Sequence, residues 1–473
     1  MRTALIVAAL ALAVIGGARC KRQNGAYCDD SRPCPSGMAC DLTARECYAA
    51  TSGGDLGGGP IDMAGCSCSS TTPICVAMSC VSCLSTSDPE GACAAVSPST
   101  PHCLTTGGDA GACVACRDSN DCSGAMPFCD ATAHVCRGCA ADTECASLVC
   151  DLTPGSMNHG LCVPTTSVEY VDKSAATNGN GLTPTTPRQK IQDAINHATG
   201  GDSRAYVHIA AGTYNETVGV NNAAVIYLVG AAGVIIQAPM NMDALGAMNG
   251  GSLTIRNITA TAPSGNAANC QTGTFHAYRS QLVNSSQNGM YSSNCDLLLD
   301  GVWVDSNVGS GIYIQAGNFQ ILNSIITRNS NSGGFYQNAN GTATAFVNNT
   351  VADNTASGTY AGVTCPITNS TLIVRNTILY NNKGISGSAL GETSCASEFD
   401  ASDDVSAGPQ STVDLTMQTP GFNGGTPVTA ASYHIMTTSP CRHEATPLYA
   451  PDHDFDFATR SSTMPDIGAD EAQ

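Results

Sequence analysis

The chain has 473 residues, with 49 Gly, 22 Pro and 26 Cys but only 12% charged and 5% aromatic side chains. So few charged residues exclude a coiled coil, and 42% hydrophobic residues exclude wholesale disorder. The formal charge of −19, from 38 acidic against 19 basic residues, repels phosphate backbones and anionic lipid headgroups, which removes nucleic acid from the expected partners.

Arg2 precedes an apolar run from Ala4 to Ile15 that softens into Gly16, Gly17 and Ala18, the layout of a secretory signal over residues 1–19. The run is too short to span a bilayer, and no later stretch approaches the roughly 20 apolar residues that a membrane helix needs. Cys20 follows at once. Its context resembles the lipobox of bacterial lipoproteins, with Gly17 in place of the preferred Leu and Arg19 in place of Gly or Ala. The two readings are lipidation at Cys20, which would be the one membrane attachment, and ordinary cleavage after Ala18.

Residues 20–162 hold 21 of the 26 cysteines, and the rest of the chain holds five: Cys270, Cys295, Cys365, Cys395 and Cys441. This break separates a cysteine-rich region, 20–165, from a second domain, 166–473. Apart from Cys20, the first region divides into five groups of four that begin at Cys28, Cys66, Cys83, Cys116 and Cys139. An exported chain with this density predicts disulfides, ten of them confined to residues 28–162, with a connectivity that spacing does not decide. The CxxC pairs Cys80/Cys83, Cys113/Cys116 and Cys136/Cys139 are also compatible with zinc. Disulfides are the stronger reading, because each pair falls where one module ends and the next begins. The five-residue gap of Cys28/Cys34, Cys116/Cys122 and Cys139/Cys145 resembles the Dickkopf-type repeats of secreted bacterial surface proteins. The glycine-rich stretch 49–60 reads as a flexible linker.

From Val168 the texture becomes short β-branched runs separated by Asn, Gly and Ser. Pro187 starts the one expected helix, in which Ile191, Ala194, Ile195 and Ala198 form an apolar stripe. Strands are expected at 206–209 and 225–229. Beyond them Tyr291, Tyr313, Tyr336 and Tyr360 recur at intervals of 22, 23 and 24 residues, each after a Gly-containing turn. A second series stays in step: 303–307, 325–329, 350–354 and 378–382, each ending in Asn. Two markers in register imply one repeat, and a period in the low twenties without a Leu-rich consensus predicts a parallel β-solenoid. Its rungs lie about 4.8 Å apart. Asn307, Asn329, Asn354 and Asn382 then stack as a turn ladder. The sequons at Asn215, Asn257, Asn284, Asn340, Asn348 and Asn369 read as the same turn chemistry rather than as glycan acceptors.

These features, with Tyr170-Val171-Asp172, the helix and the segment Val207 to Glu216, resemble the right-handed parallel β-helix proteins of the pectate-lyase-like superfamily. The expected fold class is therefore all-β: a right-handed parallel β-helix with one N-terminal capping helix, preceded by a disulfide-rich irregular region. Asp456, Arg460 and Asp466 to Glu471 resemble the C-terminus of choice-of-anchor β-helix surface proteins. The superfamily resemblance implies polysaccharide lyases with bound calcium and a basic proton acceptor, or hydrolases with clustered aspartates.

The catalytic candidates are Asp305, Arg328 and Asp353. Arg328 is placed one rung from Asp353, where an ion pair would hold it protonated and unfit as a base. Asp305 and Asp353, two rungs apart at roughly 10 Å, sit at the edge of what inverting hydrolysis needs. Surface ion pairing is the stronger reading of the trio. Glu398, Asp400, Asp403 and Asp404 crowd one loop. Asp452, Asp454 and Asp456 alternate as calcium ligands do, but Phe457 and Thr463 exclude an EF-hand. Calcium there is the one cofactor the sequence offers. The expected function is a noncatalytic cell-surface or secreted protein that binds extracellular polysaccharide or cell-envelope glycan. The rivals are a secreted lyase or hydrolase, with three converging ionisable groups, and an envelope spacer. Tyr313, Tyr336 and Tyr360 would make a glycan-facing strip if they point outward; pointing inward, they would fill the solenoid.

Overall fold

The computed structural model describes residues 38–41, 46–49, 68–76, 79–201, 204–339, 341, 344–358, 361–365, 371–384, 395–403, 415–416 and 419–472. The signal segment, Cys20, the 49–60 linker apart from Ala49, Asn340, Tyr360, Asn369 and Asp404 lie outside the described residues. The chain forms two compact units, Met1–Val114 and Ala115–Gln473.

The first unit is built from short antiparallel hairpins, among them Ile74–Val76 with Ser79–Val81 and His102–Cys103 with Cys113–Val114. Its helix, Pro89–Val96, has proline in the first turn, and the Asp88 side chain accepts from Gly91 N. Cys83–Cys103 and Cys93–Cys113 interlock over a small buried cluster with Ile74. The second unit opens with two more such modules, Cys116–Cys129 with Cys122–Cys136 and Cys139–Cys150 with Cys145–Cys162. Each of these three modules pairs its first cysteine with its third and its second with its fourth. The two halves of each CxxC therefore belong to different disulfides, and the thiolates that zinc requires are consumed.

Residues beyond Val168 form a parallel β-helix, in which every strand pairing is parallel and joins positions one turn apart. Its three sheets are a front sheet (Val218–Val220, Leu245–Met248, Ala268–Gln271 and on to Val363–Thr364), a back sheet starting at Val168–Val171 and Tyr206–Ile209, and a side sheet starting at Gly212–Asn215. Long strands such as Met290–Asp300 and Ile312–Leu322 bend from front to back without a break. Alternate residues point inward, and the interior is filled by Val, Ile, Leu and Ala together with the packed rings of Phe319, Phe335 and Phe346.

The expected asparagine ladder is present and fully bonded. Asn329 Oδ1 accepts from both N and Nδ2 of Asn307, Asn354 serves Asn329, and Asn382 serves Asn354, at 2.9–3.1 Å. Each Nδ2 also donates to a carbonyl one rung back, such as Leu282 O and Val304 O. Just before each Asn stands a left-handed residue: Ser306, Arg328, Asp353 and Asn381, with φ of 51–57°. This conformation turns the chain toward the next sheet.

Two sequence expectations need correction. Disulfides are not confined to residues 28–162, because Cys270–Cys295 and Cys365–Cys395 cross-link the solenoid. Separations of 25 and 30 residues place these cysteines on successive rungs, and stacking brings their Cα atoms to 6.1 and 5.5 Å. The capping helix runs Ile191–Thr199 rather than from Pro187. Arg188 N donates to Tyr170 O and Asp172 N to Arg188 O, so this stretch is committed to strand pairing. The helix N-terminus is capped instead by Glu216, whose carboxylate accepts from Ile191 N and Gln192 N, each at 3.0 Å.

The helix covers the N-terminal mouth of the solenoid with Ile191, Ala194, Ile195 and Ala198, the stripe legible in the sequence. Beside it the fully buried Glu169 accepts from Arg188 Nε (3.1 Å), pairs with His197 Nδ1 (2.9 Å) and faces Arg204 Nε (3.7 Å). Removing one member of a buried ion cluster strands the others. Glu169→Ala is expected to cost about 3–5 kcal/mol, read as a lower denaturation midpoint for the second unit.

In the cysteine module at its start, the Arg137 guanidinium beside Glu144 holds that carboxyl at about 2, against burial, with help from Ala140 N. The folded pKa is depressed, so this stabilisation is present above the ordinary glutamate value of about 4.3 and is lost as pH falls toward 2. Melting temperatures of wild type and Glu144→Gln should therefore differ at pH 7 and converge by about pH 2.

Candidate functional site

The catalytic trio of the sequence sits where the side sheet meets the asparagine turn, beneath the C-terminal tail. Asp305 is buried and its oxygens are fully engaged: Thr327 Oγ1 donates at 2.8 Å, Ser306 Oγ at 2.8 Å, and Arg328 through both Nε and Nη2. The expected Arg328–Asp353 pair is thus replaced by Arg328–Asp305. Both residues are held on successive rungs at the end of the side sheet, where the arginine reaches back to the more deeply buried carboxylate. Asp353 instead accepts from Tyr433 OH at 2.8 Å and from Asn381 Nδ2.

The electrostatics oppose proton transfer here. The hydrogen bond to Asp305 raises Arg328 above its ordinary value, so it stays a cation. Burial and the Asp353 carboxylate hold the Tyr433 phenol well above 10, so it donates and does not accept. Trp303 Nε1 bonds Thr327 Oγ1 at 3.0 Å, and Trp303, Ile325, Ala352, Phe422, Phe455 and Tyr433 pack into one cluster over the trio. Sequence spacing could not reveal this cover, since Tyr433 stands 80 residues from Asp353.

The acidic groups of the tail are also dispersed. Asp452 is exposed and pairs with His453 Nδ1 (2.7 Å), whose Nε2 meets Asp300 at 3.0 Å. Burial works against charge on His453, but Asp300 and Asp452 outweigh it and raise its pKa. Asp454 is buried and caps Asp456 N and Ala458 N. Asp456 faces His434. Asp452, Asp454 and Asp456 therefore serve three separate partners and do not converge as one ligand set. In the earlier acidic loop, Glu398 pairs with Arg375, Asp400 caps Thr377 N, and Asp403 accepts from Asn381 N. Burial pushes the Cys441 thiol up to about 12, which removes it as a nucleophile.

Arg460 organises the C-terminal tail. It is almost completely buried and donates to the carbonyls of Asp466, Gly468 and Ala469, to Asn323 Oδ1 and to Glu471. Gly468 adopts φ +109°, and a Cβ there would lie 2.6 Å from Ile378 Cδ1. The tail's last turn thus clasps the side of the solenoid.

The front sheet differs from the other two. Its outward column runs Gly219, Gly246, Asn269, Tyr291, Tyr313, Tyr336, Thr364, without a charge. The tyrosines point outward, half-buried by one another, with ring centroids 5.6 and 5.1 Å apart and planes within 10°. Strand pairing puts Thr364 beside Tyr336, because that turn of the solenoid is 28 residues long. None of the three phenol hydroxyls bonds another described residue. Face-to-face stacking hides the ring faces, so the strip offers ring edges and a row of hydroxyls. Where these strands bend toward the back sheet, Thr272, Asn294, Asp296 and Asn318 line an open groove of about 530 Å³.

No family model matches the sequence, and no curated protein matches it. Among solved structures the chain is similar to pectate lyase Pel9A, at 14% identity and TM-score 0.34 over 65% of this chain and 96% of that one. It is also similar to the ORF18 protein of Geobacillus virus E2, at 13% and 0.34 over 52% and 63%, and to the pectin methylesterase of Aspergillus niger, at 17% and 0.28 over 48% and 88%. At these scores the likenesses assign no activity, and the parallel β-helix rests on the strand pairing itself.

Asp305→Ala is expected to leave Arg328 without its partner and Thr327 without its acceptor, which costs about 3 kcal/mol. Urea unfolding of the variant measures the loss.

Proposed function

We propose that this is an exported, noncatalytic β-helix protein that binds extracellular glycan through its front sheet. The observation that carries the reading is the tyrosine strip, whose hydroxyls bond no other described residue and whose column holds no charged side chain. The tyrosine hydroxyls and the exposed Thr272 and Asn294 of the adjoining groove suit the hydroxyl-rich surface of a neutral or weakly charged polysaccharide, whereas a net charge of −19 disfavours polyuronates. The ionisable groups that a lyase or hydrolase would need are buried in ion pairs or serve as caps. Nine disulfides among the described residues fit an oxidising, extracellular location. No helix among those residues is long and apolar enough to cross a membrane. Attachment to an envelope would fall to lipid on Cys20.

Affinity electrophoresis through gels containing single polysaccharides tests the reading. Tyr313→Phe preserves the stack and removes one hydroxyl, so melting should be unchanged while retention weakens about fivefold, the worth of one hydrogen bond. Tyr336→Ala should weaken retention further, and Arg328→Ala should leave it intact. Release of unsaturated or reducing ends by the wild-type protein, abolished in Arg328→Ala or Asp353→Asn, would instead establish an enzyme.

A further inference from the structure

The C-terminal tail brings together one imidazole and two carboxylates that neither the solenoid nor the glycan surface uses. His434 Nδ1 lies 3.4 Å from Asp470 Oδ1 and 3.6 Å from Asp456 Oδ2, and the three ligand atoms are all within 4.8 Å of one another. Both separations exceed an ordinary N–H···O bond. They match the edges of a tetrahedron around an ion bound at about 2.0–2.2 Å, which are about 3.3–3.6 Å long.

Asp470 supplies an independent observation. Its side chain is only 9% exposed. Oδ2 accepts from Ile435 N at 3.0 Å, while Oδ1 accepts no hydrogen bond from a described residue and faces the imidazole. The same group borders an open cavity of about 580 Å³, lined also by Asn423, Thr437 and Thr438. Asp456 is 59% exposed and free to close over an ion.

We propose that His434, Asp456 and Asp470 bind one first-row divalent cation of the zinc type, whose remaining coordination positions face the cavity. One imidazole and two carboxylates suit such an ion. Calcium prefers six to eight oxygen ligands. Asp452 and Asp454, the other members of the alternating series, stay outside the site because His453 and backbone amides occupy them. The ion would tie together three segments of the tail that are distant in sequence.

The test uses the full chain with its disulfides intact, freed of metal by chelation and titrated with zinc sulfate. Calorimetry should show one site per chain, and zinc at about 100 times Kd should raise Tm by a few degrees. Asp456→Asn changes an exposed side chain, so the fold is kept, and should weaken zinc binding about tenfold or more. His434→Ala should abolish binding, and Asp452→Asn should leave it unchanged. Absence of a zinc isotherm in the wild type, or wild-type affinity in both Asp456→Asn and His434→Ala, would overturn the proposal. So would a calcium-dependent rise in Tm that Asp452→Asn removes.

Discussion

The structure depends on one constraint: each rung must satisfy the hydrogen-bonding groups of the rung beside it. Neighbouring strands in a parallel sheet lie about 4.8 Å apart, so a side chain's nearest partner is the residue one turn away, not a neighbour in sequence. A buried amide at the turn can be tolerated only if the next turn carries another in the same place. The column Asn307, Asn329, Asn354, Asn382 answers that requirement with two accepted bonds per link. Loop lengths can then vary freely between rungs, because register is fixed at the turn.

A solenoid also has two ends and three outer faces, and this one covers most of them. The N-terminal mouth is closed by helix Ile191–Thr199 around the Glu169 cluster. The outer face of the early back sheet receives the Cys139–Cys162 module, where Val149 and Val163 pack with Tyr170 and Val229, and Arg256 binds Asp142 and Cys150 O. The side sheet receives the tail. Each cover brings apolar surface and consumes charges of the solenoid, so Asp300, Asp305 and Asp353 are partnered by residues that hold the fold together.

What the sequence made legible follows from the same constraint. The ladder asparagines, the β segments 303–305, 325–327, 350–352 and 378–380, and the helix stripe could be read because their periodicity is local and their spacing regular. The repeat lengthens to 28 residues between Tyr336 and Thr364, which no local period announces and only strand pairing shows. Arg328 was matched with the wrong aspartate because column assignment says nothing of the direction in which a long side chain reaches. Tyr433 over Asp353, and His434 beside Asp470, had no sequence signal at all. The first arises from the tail folding back across 80 residues and the second from the tail folding on itself, and neither contact leaves a period.

The uncovered face is where these arguments meet. Stacked tyrosines on a β-helix are first a structural device, since each ring shields its neighbour just as the asparagines bond theirs. Shielding alone does not require a hydroxyl, however, and phenylalanine would stack as well while burying less polar surface. Inside the solenoid the aromatic residues are Phe275, Phe319, Phe335 and Phe346 together with Tyr214, whose hydroxyl donates to Ala210 O. Outside, on the front sheet along Tyr291, Tyr313 and Tyr336, the ring carries a hydroxyl with no partner among the described residues. The interior rings of Phe319, Phe335 and Phe346 tilt by 53° and 59° to one another, whereas the outer tyrosines lie within 10° of parallel, so the two columns differ in geometry as well as in chemistry.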